Sequence, residues 1–323
     1  MAIIKKYPVR RLKIDRISDQ PGRFCMSYGF DSTGLEKSLA QVGLINNPFI
    51  FICDDNGVET VTGFRRIQAL RKLNVKTIDC YDLTDSGMPH YEMLRLAFHD
   101  NMFTRELNLV EKSMFFNRLT KLVKDNNLIR KYIDCLNVSL KDYEVILGIE
   151  KLDNSLKDSV SGGNINIKAL ERLIQLDIND AVLLNDWISK LKLNYNYQIQ
   201  FIDYIIDISR IHKLSVSSVL GDEYYLNLLE NRNENTPQKA RELIDSLRTR
   251  RNPNLSKYQN IFEKKVKQLQ LPKNIKIKNP GNFESEGYQL EIDFKNGVEL
   301  WENLKRLVDR NELKNLGDPW EDD

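Results

Sequence analysis

The chain has 323 residues, of which 41% are hydrophobic and 29% charged, enough for two or three domains with apolar cores. No run approaches the ~18 consecutive apolar residues of a membrane span, and the opening MAIIKKYPVRRLKI turns basic too early for a secretion signal. Cys25, Cys53, Cys80 and Cys135 show no CxxC spacing and three histidines are too few for a zinc site, so reduced thiols in a cytoplasmic protein are expected.

Residues 1–105 read as a small α/β domain. VRRLKIDRI has strand alternation, and GLEKSLAQVGL carries apolar residues at helical spacing before stopping on Gly43. PFIFICDD is a short apolar strand, ended by a turn at DDNG and followed by a second strand, VETVTG. A helix over FRRIQALRKLN and a strand over TIDCYDL complete the alternation.

From about Glu92 to Asn233 the pattern is helical. YEMLRLAFHDNM and LVEKSMFFNRLTKLV both place apolar residues at i, i+3 and i+4. Residues 128–152 then give a helix, a break at LNVS and a second helix capped by Ser139, the outline of a helix-turn-helix. If that second helix reads DNA, Ser139, Lys141 and Tyr143 are its early exposed positions, although Asp142, Glu144 and Glu150 would repel phosphate. The competing reading is a helical packing unit without base contacts. ENRNENTPQ, at 230–238, is polar and contains proline, so a linker is expected there.

Net charge is only +2, but the charges are uneven: residues 239–278 hold twelve Lys/Arg against three acids, while the tail GDPWEDD is acidic. Arg248, Arg250, Arg251, Lys264, Lys265 and Lys267 are the candidates for contacts to DNA phosphates, against the plainer reading of a solvated helix face. Two alternating strands, NIKIK and GYQLEIDF, precede an amphipathic helix, GVELWENLKRLV. Val298, Leu300, Trp301, Leu304, Leu307 and Val308 form a stripe there that calls for a two-fold partner or for packing against the 253–270 helix. The domain expectation is therefore 1–105, 106–232, a linker and basic helix at 233–252, and 253–323. The fold class expected is α+β.

The stretch ETVTGFRRIQALRKL puts a glycine and two arginines where a strand meets a helix. Glycine allows close backbone approach, first-turn N–H groups lack partners, and paired guanidiniums suit phosphate. By itself the pattern also fits a surface arginine pair.

In order and separation, LEKSLAQVGLINNPFIF, VTGFRRIQAL and HDNMFTRELNLVEKSMFF resemble the boxes of the ParB family of DNA-partition proteins. The helix-turn-helix and the final strand-strand-helix fall where that family has them, so the resemblance spans nearly the whole chain. It implies a homodimer that binds CTP with Mg2+, closes as a clamp on DNA, and works beside a ParA-type ATPase. Carried over residue by residue, Thr62, Gly63, Arg65 and Arg66 would contact phosphates, Gly43 to Pro48 would lie near the base, and Asp100 and Asn101 would hold metal and phosphate. Arg105 stands one place beyond the family's arginine, and Phe64 replaces the family's glutamate, so binding is expected ahead of CTP hydrolysis. Sulfiredoxin, of the same fold family, has its cysteine in this box; here Phe64 and Ile67 stand there instead. Two other classes stay open: a stand-alone phosphotransferase or nuclease, and an interaction scaffold that has lost its ligands.

Overall fold

A computed structural model describes residues 7–53, 57–102, 104–231, 235–279 and 287–316. The turn expected at 54–57 and the linker at 230–238 lie partly outside the described residues, and the tail at 317–323 wholly outside them.

Alternating apolar residues build the first sheet. Its strands are β1 (Val9–Lys13), β2 (Phe49–Ile52), β3 (Val58–Thr60) and β4 (Thr77–Asp82), in the order β1-β4-β2-β3. β2 and β4 run parallel, and the other neighbours are antiparallel. One face carries Leu12, Ile50, Val58, Ile78 and Cys80. These pack with Leu39 of α1 (Thr33–Val42) and with Ile67, Ala69 and Leu70 of α2 (Phe64–Lys72). Both helices fall where the 3.6-residue periodicity puts them, and Gly43 caps α1 at φ 72°.

α3 (His90–Met102) and α4 (Leu109–Leu122) follow, the latter started by a capping box in which Asn108 and Glu111 satisfy each other's backbone N–H. Aromatic rings join them: Phe98 stacks on Phe115 at 4.5 Å, and Tyr132 of α5 (Asn126–Cys135) stands edge-on to both at 5.1 Å. α6 (Leu140–Gly148) begins at Ser139, whose hydroxyl accepts from the Asp142 N–H, and Asn137 takes φ 50° in the break before it. The two helices and tight break expected over 128–152 are thus present. α7 (Asn154–Ser161), α8 (Ile167–Leu173), α9 (Ile178–Lys190) and α10 (Tyr195–His212) continue the helical run.

Beyond them lie α11 (Val216–Leu220), α12 (Glu223–Glu230), α13 (Thr236–Arg251) and α14 (Pro253–Gln268). Ala240, Leu243, Ile244 and Leu247 of α13 are buried, so this basic helix has a core face. β5 (Ile275–Lys278) and β6 (Gln289–Ile292) form an antiparallel pair that precedes α15 (Gly297–Val308). The final stripe splits: Leu307 is buried, whereas Val298, Trp301, Leu304 and Val308 are exposed. The chain divides into two compact units, Met1–Ile202 and Asp203–Asp323, with the division inside α10. Among the described residues no helix is long and apolar enough to cross a membrane.

Candidate functional site

At the end of β3 the chain is pinned to β2, the N–H groups of Val61 and Thr62 donating to the Phe49 carbonyl at 2.8 and 3.1 Å. The turn into α2 is made by Gly63 in the left-handed region, φ 83° and ψ 19°. A Cβ there would stand 2.8 Å from the Pro48 Cβ, so both conformation and space require glycine. No side chain caps α2, which leaves its first-turn N–H groups for water or a ligand and aims the helix dipole the same way.

A pocket of about 280 Å³ opens at this corner, near the ~300 Å³ lower end of small-molecule sites. Thr62, Gly63, Arg65, Arg66, Asp100, Asn101 and Arg105 all line it. Seven sequence candidates drawn from two boxes therefore meet in one cavity. Gly43 and Pro48 do not line it; Asn46, between them, does, and Pro48 instead abuts Gly63. The sequence reading missed the wall made by Phe24, Cys25, Met26 and Ser27, which lies in an irregular stretch without periodicity.

The three arginines are held differently. Arg66 donates to the Asn46 carbonyl at 2.6 Å and pairs with Asp100 at 3.1 Å. Arg105, just past the end of α3, donates to the Met26 carbonyl at 3.1 Å, to Asn101 Oδ1 at 3.0 Å and to Glu111. Arg65 donates to Glu111 Oε1 at 2.7 Å and lies 4.7 Å from the Phe30 ring centroid, while its Nε is buried without a hydrogen-bond partner. Burial, with Arg105 close by, lowers the Arg65 pKa from its usual value. Three guanidiniums against the carboxylates of Asp100 and Glu111 leave one positive charge, which suits an anion. Burial also pushes the Cys25 thiol in the wall up to about 11, so it stays protonated at neutral pH and is a poor nucleophile.

Asp100 and Asn101 supply one carboxylate and one amide oxygen. Asn101 Oδ1 accepts from Arg105, and among the described residues no cluster of three His, Cys, Asp or Glu could hold a metal by itself. This donor set fits a magnesium ion that brings waters and phosphate oxygens as its other ligands.

A larger open groove of about 940 Å³ lies between Gly163 and Gln198. Its cation is Lys192, and Gln198 is already satisfied by Asn164, Leu193 and Asn166, so its chemistry is weaker than that of the arginine pocket.

The DNA candidates are dispersed. Ser139 caps α6, Lys141 pairs with Glu171 at 3.3 Å, and Tyr143 is half-buried with its ring edge-on to Phe116 at 5.0 Å. Arg248 pairs with Asp245 at 3.1 Å, Arg250 with Asp222 at 3.1 Å and Arg251 with Asp207 at 2.6 Å. Arg251 also lies 5.3 Å from the Tyr204 ring centroid. Lys264 and Lys267 are exposed, and Lys265 is half-buried.

A small mixed sheet bearing a cationic, glycine-cornered pocket at a strand-to-helix turn, followed by helices, defines the class: an α+β protein. No family model matches the chain, and no curated protein does. Among solved structures it is similar to ParB proteins. One is C-terminally truncated ParB from Caulobacter crescentus with CTP-gamma-S, at 14% identity and TM-score 0.26, over 56% of this chain and 99% of that one. The same truncated protein with the centromeric parS site gives 16% identity and TM-score 0.33, over 60% and 98%. A Pnob8-like ParB-N domain gives 17% and 0.35, over 80% and 97%. Identities this low transfer no residue role.

Proposed function

We propose that the chain is a ParB-like DNA-binding protein that takes CTP with Mg2+ in the Gly63–Arg66 pocket and acts in plasmid or chromosome partition. The observation that carries this reading is the convergence of Gly63, three arginines, Asp100 and Asn101 on one cavity. In it, Arg65, Arg66, Arg105 and the α2 N-terminus hold the triphosphate. Asp100 and Asn101 accompany the magnesium, which when bound neutralises phosphate charge. The Phe64 ring stands where the family has a carboxylate, so the pocket binds the nucleotide better than it hydrolyses it.

The protein works as a cytoplasmic homodimer through the exposed face of α15, with a ParA-type ATPase as partner. DNA is held by phosphate contacts from Lys264, Lys265 and Lys267, with Ser139 and Lys141 of the helix-turn-helix alongside. Nucleotide binding favours the closed clamp because phosphate interacts with the arginines differently in the two states.

One observation favours a second reading. Every pocket arginine already has a carboxylate partner, as in a scaffold that kept the fold and lost its ligand. Calorimetry with CTP or ATP and magnesium, with and without DNA, separates the two. CTP-selective heat supports the clamp, DNA-independent ATP turnover would mark a stand-alone enzyme, and silence in every arm would mark a scaffold. The double variant Arg65→Ala/Arg66→Ala is expected to abolish the CTP heat while keeping a cooperative melt; unchanged affinity would remove the phosphate role.

A further inference from the structure

Glu111 is only 1% exposed, and four donors surround its carboxylate. Its Oε1 accepts from the Tyr28 N–H at 3.0 Å and from Arg65 Nη2 at 2.7 Å. Its Oε2 accepts from the Asn108 N–H at 3.1 Å and from Arg105 Nη1. The helix cap uses only one of these bonds, and a glutamine serves a capping box equally well. What glutamine cannot do is accept at both ends, as Glu111 does from Arg65 at Oε1 and Arg105 at Oε2, because one end of its amide is itself a donor. The carboxylate therefore does more than begin a helix. Arg65 and Arg105 are like charges in a half-buried cavity, and each lowers the other's comfort there unless a counter-charge lies between them.

We infer that Glu111 is a positioning residue of the anion site: a buried counter-ion that keeps Arg65 and Arg105 side by side, in binding geometry, before any ligand arrives. This rests on the pocket reading above and deepens it. Pre-organised side chains lose less freedom on binding, so the ligand is held more tightly than by arginines that must first be gathered. Arg65 is left with its buried Nε unpaired, a donor turned to neither carboxylate. The opposite arrangement, in which Glu111 competes with phosphate for the arginines, predicts an effect of opposite sign.

Two measurements decide. In calorimetry with CTP and with inorganic tripolyphosphate, Glu111→Gln is expected to bind roughly tenfold or more weakly, comparable with the ~10–100-fold loss when a supporting partner of a metal ligand is removed. Asn108→Ala removes the α4 cap without touching either arginine, and is expected to lower the melting temperature but not the affinity. Glu111→Gln binding as well as the wild type, or more tightly, overturns the proposal. The second measurement uses ligand-free wild-type protein, so it stands even if Glu111→Gln does not fold. Side-chain NMR is expected to show guanidinium rotation at Arg65 and Arg105 slowed well below that of exposed Arg130. Free rotation at both would overturn the positioning role. Absence of any wild-type heat would instead overturn the nucleotide reading and leave the rotation experiment to judge Glu111.

Discussion

Gly63 stands at φ 83° with Pro48 against it, and both features bear on what one added methyl would do. A left-handed alanine costs about 1–2 kcal/mol in backbone energy. Its Cβ would also sit 2.8 Å from a rigid ring carbon, so strand or helix must shift. Gly63→Ala is therefore expected to lower the melting temperature by several degrees and weaken CTP binding together, measured by calorimetry on the same preparation. Unchanged stability would mean that the corner relaxes freely. The turn itself was legible in the sequence as a glycine between an apolar strand and a helix, although the pattern by itself also fitted a surface arginine pair. Glu111 was visible only as part of a box. That it meets Arg65, 46 positions away, depends on how the helices pack, which no local spacing records. The Phe24–Ser27 wall was likewise hidden, being neither periodic nor charged apart from Arg23.

At the level of elements, periodicity located most of the N-terminal strands and helices, since alternation and 3.6-residue spacing are local properties. Charge was harder to interpret. The run of twelve cations over 239–278 suggested a polyanion surface or a solvated helix face, whereas α13 buries Leu243 and Leu247 and its Arg250 and Arg251 pair with Asp222 and Asp207. Half-exposed ion pairs of this kind contribute about 1 kcal/mol or less each. Arg250→Ala/Arg251→Ala is accordingly expected to reduce stability modestly while leaving the salt dependence of DNA binding alone. Lys264→Ala/Lys267→Ala is expected to do the reverse, lowering the slope of log K against log salt by about two, one per lost phosphate contact. A slope change confined to the arginine pair would reassign the DNA surface. Tyr143 shows the same lesson on α6, where a position suited to base contact is packed against Phe116.

For the whole molecule, the order of elements was legible, whereas a homodimer was suggested only by an apolar stripe. Residues Val298, Trp301, Leu304 and Val308 remain exposed on α15, with Leu290 and Phe294 exposed just before it. So many large apolar side chains close together in sequence are more than a monomer usually leaves in water. A homodimer is expected in sedimentation, and Trp301→Glu is expected to convert it to monomer without changing the melt of the first unit. A wild-type monomer at micromolar concentration would instead give that face to some other partner. The division of the chain inside α10 was not legible, because an 18-residue helix shows no composition break between Ile202 and Asp203.

The bond from Glu111 back to Tyr28 and Arg65 also decides where the protein can be cut. Dividing it after residue 105, where the change of pattern suggests a border, would strand both guanidiniums with no acid between them and remove the carboxylate that accepts from the Tyr28 N–H. The smallest segment that keeps the cationic corner whole must run through α4, to Leu122.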